Sequence, residues 1–260
     1  MNIADQNIRR VFEESLCARD IAQLLRSFDA ETPLDRAASV LRSSHCTVAA
    51  VRTAGVVSGY LQIDRLVGNC CGDSQQSFAP GQVVCDALPL AQLVARLHQN
   101  SHCFVLAWGQ VGGFVERSDL QKPPARMWLF GMVTLIESRF TRLIETHCTE
   151  DEWRACVSPG RVQKAETLCT ERMRAGQQVR LIDCLQFADK TQVVGRLEKL
   201  RGLTRFQSRT QIEEIGRKVE KLRNNLAHSQ DIIAGDWETI VTLAENLASI
   251  LDGPPGLRGT

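Results

Sequence analysis

The sequence predicts an α+β protein, with a duplicated strand-and-helix half followed by an all-α half. Three observations carry this. A run of helix, strand, turn, strand and helix signals occurs twice before residue 121. From Thr149 onward no stretch reads convincingly as a strand. Between the halves, Pro124 to about Cys148 reads as one helix that is apolar on more than one face, the pattern of a helix buried against two surfaces. The expected domains are 1–147 and 148–260.

Composition narrows the function classes. The 260 residues are enough for one large or two ordinary domains. Hydrophobic residues make up 43% and charged residues 23%, ordinary values for a globular protein. A formal charge of +1 argues against a strongly basic nucleic-acid scaffold, so any RNA site has to be local. No run approaches the roughly 18 apolar residues that a membrane span needs. The segment Met1–Arg10 has no apolar signal core, so a cytoplasmic location is expected and no membrane partner. The ten cysteines form no Cys-x-x-Cys and no zinc-type Cys/His spacing. They read as buried free thiols, no metal site is expected, and the adjacent Cys70-Cys71 leaves a redox role open.

In chain order, residues 1–30 carry Ile8, Val11, Phe12, Leu16, Ile21, Leu24 and Leu25 at helical spacing. The first copy follows. Ala37–Leu41 reads as helix, Thr47–Val51 as strand, Thr53–Gly55 as turn and Val56–Ile63 as strand, with Asp64-Arg65-Leu66 opening a helix. The second copy reads helix Ala91–His98, strand Phe104–Trp108, turn Gly109–Gly112 and strand Gly113–Glu116, with Arg117–Leu120 opening the last helix. Gly68–Gly81 links the copies, and Val83-Val84 reads as a short strand. Ser44-His45-Cys46 and Ser101-His102-Cys103 lie 57 residues apart, near the spacing of a duplicated small domain.

The duplicated order resembles a pair of CBS motifs, the Bateman module, with its duplicated β-α-β-β-α plan. The strongest fragment is Gly113-Phe114-Val115-Glu116-Arg117-Ser118-Asp119-Leu120. It is similar to the family's Gly-φ-φ-Thr-x-x-Asp-Leu, where φ is apolar. The resemblance implies a regulatory adenine nucleotide, AMP or ATP. Asp119 would take the ribose hydroxyls, with Gly113 and Ser118 beside it and Asp64 as the first copy's counterpart. A carboxylate suits two adjacent hydroxyls, and a helix start suits phosphate. Glu116 stands where the family has Thr or Ser. Asp119 and Asp64 are also good helix caps, which leaves a purely structural reading open. A homodimer is a further implication of the resemblance.

In the second half, Glu150–Trp153 opens a helix, Val162–Ala175 forms another and Val179–Ala188 carries an apolar stripe. Val193–Leu200 ends at Gly202, and Ser208 caps a long helix through Leu226. Gln230-Asp231-Ile232 ends that helix, Trp237–Leu251 is the last one, and Gly253–Gly256 ends the order. Glu137 and Arg139 read as facing water. The basic residues Arg201, Arg205, Arg209, Arg217, Lys218, Lys221 and Arg223 could guide RNA phosphates. Glu213, Glu214 and Glu220 interleave with them, so a solvated face of i,i+4 pairs is at least as good a reading.

Near the end of the long helix stands Lys221-Leu222-Arg223-Asn224-Asn225-Leu226-Ala227-His228. Leu222 and Leu226 continue an apolar stripe from Ile215 and Val219, and Arg223, Asn224 and His228 flank it. A guanidinium stabilises phosphate charge, and an imidazole moves protons near neutral pH. Arg223-Asn224 with His228 resembles the Arg-x(4–6)-His signature of the HEPN superfamily, over about the last hundred residues. That resemblance implies a metal-independent endoribonuclease, in which Arg223, Asn224 and His228 are catalytic, RNA is the substrate and no catalytic cofactor is used. Some members of the superfamily only bind. The leading reading is therefore a nucleotide-sensing CBS pair that regulates a HEPN-like domain. Its rival is a non-catalytic signalling or dimerisation protein whose helical domain binds a partner. A third reading is a toxin held silent by an antitoxin.

Overall fold

The computed structural model describes residues 10–107, 109–204 and 206–252. They divide into two compact units, Glu13–Ala125 and the residues from Arg126 onward together with those before Glu13. The division falls after Ala125, not after the expected 147, because the long helix packs with the helices that follow it.

In the first unit the elements are β1 (Gln23–Leu24), β2 (Ser27–Asp29), α1 (Leu34–Ser43), β3 (Val48–Thr53) and β4 (Val56–Gln62). Next come β5 (Val83–Cys85), α2 (Leu90–Gln99), β6 (His102–Ala107) and β7 (Gln110–Glu116). They make a three-stranded sheet, β2-β3-β4, and a four-stranded sheet, β1-β7-β6-β5. The plan is duplicated. In each sheet a short strand runs parallel to the first strand of a hairpin, Ser27 opposite Ala50 and Val83 opposite Phe104. The two hairpins lie 54 residues apart (Val48 to His102), and both slip register at the same place, Val51/Arg52 and Val105/Leu106.

Local chemistry explains the elements. Pro33 and Pro89 precede α1 and α2 with φ of −55° and −57°, and proline costs nothing at a helix start. Leu34, Ala37, Ala38 and Leu41 are buried along α1, and Leu90, Leu93, Val94 and Leu97 along α2, each a helical stripe. Val48–Val51 are all buried, so β3 is covered on both faces. Ala54 and Gly55 both have positive φ, 50° and 79°, as a tight two-residue hairpin turn needs.

A crossing segment edges the second strand of each hairpin. Tyr60 of β4 exchanges backbone hydrogen bonds with Gln76 at 3.0 and 2.8 Å, and Phe114 of β7 pairs with Gln23 of β1. A glycine precedes each of these residues. A Cβ on Gly59 would lie 2.4 Å from the Gln76 carbonyl oxygen, and one on Gly113 would lie 3.1 Å from that of Gln23.

Four expectations for this unit are corrected. The described part of 1–30 is not one helix: a π-helical turn, Val11–Ser15, and a 3-10 turn, Ala18–Asp20, precede β1 and β2. Distant backbone partners win there, since the Ala18 amide donates to Leu88 and the Arg19 amide to Asp86. Its remainder, residues 1–9, lies outside the described residues. The first copy also lacks its closing helix. After β4 there is only a 3-10 turn, Ile63–Arg65. The Asp73 carboxylate takes the amides of Asn69 and Cys70 at 2.8 and 3.0 Å, and Ser74 takes that of Val67, so side chains capture the backbone that a helix would use. The second copy closes with a 3-10 turn, Arg117–Gln121, before the long helix. Finally, the Ser-His-Cys triplets are not equivalent. The first lies in the loop after α1, with His45 at φ 52°, and the second runs into β6.

The second unit holds α3 (Pro123–His147, its first turn in the other unit), α4 (Glu150–Arg154), α5 (Pro159–Arg174) and α6 (Phe187–Arg196). After them come α7 (Glu198–Arg201), α8 (Arg209–Ala227) and α9 (Ile233–Asp252). The 179–188 stripe forms a 3-10 turn, Leu181–Cys184, and the start of α6. Trp128, Leu129, Met132, Val133, Ile136 and Phe140 of α3 are buried, and Phe140 stacks on Phe187 at 6.0 Å. Glu137 does not simply face water: it accepts from Lys190 at 2.9 Å, and Lys190 is only 3% exposed. At Gly216, α8 meets α6 so closely that a Cβ would lie 2.2 Å from Thr191 Cγ2. Among the described residues from Arg126 on there is no strand, and no described helix is long and apolar enough to cross a membrane.

Gly59→Ala is expected to lower the unfolding free energy by about 1–3 kcal/mol through overpacking. Gly112→Ala, where a Cβ meets open space, leaves it nearly unchanged. Urea unfolding of the two variants and the parent checks this.

Candidate functional site

Among the described residues, two places carry the chemically able side chains that the sequence singles out. The first is the polar end of the hairpin β6-β7. Asp119 sits in the 3-10 turn after β7 and is 2% exposed. Its carboxylate accepts from the Glu116 amide at 2.8 Å and from Gln23 Nε2 at 2.9 Å, and pairs with Lys122 at 2.8 Å. Both oxygens are engaged in holding β1, β7 and the turn together. Ser118 is exposed and donates to Glu116 Oε1 at 2.6 Å. Thr47, at the start of β3, donates to the other Glu116 oxygen at 3.3 Å. Two hydroxyls from the two copies thus converge on one carboxylate. Gly113 serves the close backbone crossing. Asp64 is exposed in its 3-10 turn, and the 54-residue relation between hairpins aligns it with Ser118, not with Asp119.

Behind this end lies an aromatic cluster of Tyr60, Phe78, His102 and Phe104, with ring centroids 4.8–5.7 Å apart. His102 is buried. The Gln82 amide nitrogen lies 3.1 Å from its Nε2, and Ser101 Oγ lies 2.9 Å from its Nδ1. The Gln82 oxygen accepts from Ala79, so the amide nitrogen faces the ring. Amide nitrogen only donates, hence Nε2 accepts and Nδ1 carries the proton. Burial pulls the His102 pKa below the ordinary 6.5, opposed by the Glu116 carboxylate.

The second place is the C-terminal end of α8. Ser208 caps the helix start by accepting from the Gln211 amide at 3.3 Å. Ile212, Val219, Leu222 and Leu226 are buried and fix its rotation. At the far end the Gln230 amide donates to Asn225 O at 2.9 Å and the Ser229 amide to Leu226 O at 3.4 Å, with Ser229 at φ 53°. This is a Schellman turn with serine in the left-handed position where glycine is usual.

Arg223 is half-buried and its Nη2 donates to Asn224 Oδ1 at 3.2 Å. Asn224 and His228 are exposed, and the His228 amide donates to the Asn224 carbonyl at 3.0 Å. The fold therefore places all three at one helix end. Most of the basic run along α8 is spent on neighbours: Arg209 on Glu213, Lys218 on Glu214 and Lys221 on Asp236. Arg205 lies outside the described residues.

Two residues that sequence reasoning passed over complete this end. Asn225 donates to Asp236 Oδ2 at 2.6 Å, and Asp236 is 2% exposed. Arg126, in the first turns of α3, donates to the carbonyls of Asn225, Leu226 and Gln230 at 3.0, 3.1 and 2.9 Å. Asn225 was findable, because it stands three positions after Leu222 on the apolar stripe, where an amide needs a partner. The Arg126 contact spans about a hundred residues of sequence and leaves no local signal. Among the described residues no group of three or more His, Cys, Asp or Glu is placed to hold a metal.

No family model matches the chain, and no curated protein matches it. Several solved structures do. The CBS domain of a bacterial CNNM/CorC family Mg2+ transporter, in complex with ATP, is 14% identical over 45% of this chain and 91% of that one, with a TM-score of 0.36. The CBS-pair protein CBSX2 from Arabidopsis thaliana is 18% identical over 40% and 90%, with a TM-score of 0.34. A CBS domain-containing protein of unknown function from Bacillus anthracis is 12% identical over 41% and 91%, with a TM-score of 0.37.

The sign of the His102 shift fixes a pH dependence. Because the folded pKa is lowered, the unfolded chain takes the proton first as pH falls. The neutral ring's contribution to stability is complete above pH 6.5 and is lost as pH drops below it. Urea unfolding from pH 7.5 to 5 is expected to show a steeper loss for the parent than for His102→Gln.

Proposed function

We propose that Glu13–Ala125 is an adenine-nucleotide-sensing unit of the CBS-pair kind, and that it regulates the helical unit. The observation that carries this is the internal duplication. Two hairpins with the same register slip, each preceded by a parallel strand and a proline-started helix, place their polar ends together at Thr47, Glu116 and Ser118. In the family this end takes a nucleotide. Here Glu116 holds the hydroxyls that a phosphate would use, so the ligand has to displace a carboxylate or keep its phosphates away from it.

A specific observation favours a second reading, in which the helical unit cleaves RNA. Arg223 donates to Asn224, and the exposed His228 follows at the same helix end, which is anchored from within. His228 would take the ribose 2′-hydroxyl proton while the 2′-oxygen bonds to phosphorus, and Arg223 would balance the charge gathering on the phosphate oxygens. The P–O5′ bond breaks, and the 5′-oxygen takes a proton from water, giving a 2′,3′-cyclic phosphate. The nucleophile is part of the substrate, so proximity is already supplied. A second copy of the chain would bring a second Arg223 to the cleft, which fits a homodimer. The rival remains a partner-binding bundle without catalysis.

For the sensor, the full chain is melted with AMP, ATP or adenosine. A ligand present at 100 times its Kd adds about 2.7 kcal/mol and raises Tm by several degrees. Glu116→Thr is expected to tighten AMP about tenfold by removing like-charge repulsion, about 1.4 kcal/mol. An unmoved Tm with all three ligands at millimolar concentration would sink the sensing reading. For the effector, a labelled RNA pool is incubated with chelator and either the parent or His228→Ala. Cleavage is expected to fall by about 10²–10⁴ in the variant. Equal cleavage by both proteins, or none by the parent, defeats this reading in favour of the partner-binding bundle.

A further inference from the structure

We propose that Arg126 is a positioning residue for the α8-end site, an inference that rests on the RNA-cleavage reading. The half-buried guanidinium reaches from α3 into the Schellman turn. It donates to two carbonyls of the last helical turn, Asn225 and Leu226, and to Gln230 just past it. The first two belong to the last helical turn, whose carbonyls have no partner within the helix and carry the negative end of its dipole. One planar fork thus spans both sides of His228, whose backbone lies between the second and third carbonyls. With three hydrogen bonds given to backbone, Arg126 sets where the imidazole points.

The neighbouring groups hold the same turn from the other side. Asp236, buried in the first turns of α9, takes the Asn225 amide at 2.6 Å and the Lys221 ammonium at 3.3 Å. Lys221 also donates to the Gly235 carbonyl at 3.0 Å. Asp231 accepts from the Ile233 and Ala234 amides and so caps α9 directly after the turn. Residues 225–236 are therefore pinned at both ends. Ser229 sits at φ 53°, a conformation that non-glycine residues adopt at some cost, and Arg126 is the charged group holding carbonyls on either side of it. Without it, the turn loses three of the hydrogen bonds that hold it, while the buried stripe of α8 stays packed.

The test uses the full chain with Arg126→Ala and Arg126→Lys, a labelled RNA with chelator, and amide exchange read at residues 225–230. In the alanine variant kcat is expected to fall about 10²-fold, as a misplacement of about 1 Å does, with KM unchanged. Exchange at Ser229 and Gln230 quickens while the buried α8 amides stay protected. Lysine, which keeps the charge and part of the donor set, restores part of kcat. An active parent with an equally active alanine variant overturns the role of Arg126 and leaves the cleavage reading standing. A loss confined to KM, or exchange rising throughout α8, also overturns it, since either means substrate contact or general unfolding. An inactive parent removes the cleavage reading, and this proposal with it.

Discussion

The first unit depends on two places where backbone lies directly against backbone. At Gly59 the carbonyl of Gln76 comes within 2.4 Å of where a Cβ would stand, and at Gly113 that of Gln23 comes within 3.1 Å. Each crossing gives the second strand of a hairpin the hydrogen-bond partners that an edge would lack. Each also ties down a segment that has little regular structure of its own: β1 is two residues long, and Gln76 belongs to a loop. The polar ends of the two hairpins meet where Thr47 donates to Glu116. Asp119 then binds the end of β7 to β1 through Gln23.

The helical unit follows a different rule. Its buried stripes set which way each helix faces, but the candidate groups Arg223, Asn224 and His228 stand where a helix stops. A helix end is a poor platform unless its free carbonyls are satisfied. Here the Schellman turn and the Arg126 guanidinium do that, and Asn225 with Asp236 closes the inner side. The same economy appears deeper in the bundle, where Lys190 is buried only because Glu137 meets it.

How far the sequence could be read follows the range of the interactions. The helices α1 and α2, the two hairpins and the long α8 were legible because their periodicity, prolines and caps are local. The stretch 10–30 was misread as helix because Leu24 and its neighbours pair with strands about 90 residues away. The missing closing helix of the first copy had a local sign, Asp73 and Ser74 after Gly68, whose side chains compete for amides. The repeated Ser-His-Cys triplet suggested a duplication that is real but differently aligned, since four residues separate α1 from β3 and two separate α2 from β6. At the candidate site Arg223, Asn224 and His228 were visible as a short motif. Arg126 and Asp236 were not, because nothing near them in the chain announces what they hold.

The duplicated hairpins share a backbone but not a chemistry. Position 116 ends its hairpin with a carboxylate, and the matching position 62 ends the other with a neutral amide. Position 119 is a buried aspartate, and its counterpart, 65, is an exposed arginine. The duplication is therefore broken in side-chain chemistry at the ends of the strands and kept in the backbone register of the hairpins. A molecule spanning both strand ends would thus meet an acidic group on one side and neutral or basic groups on the other.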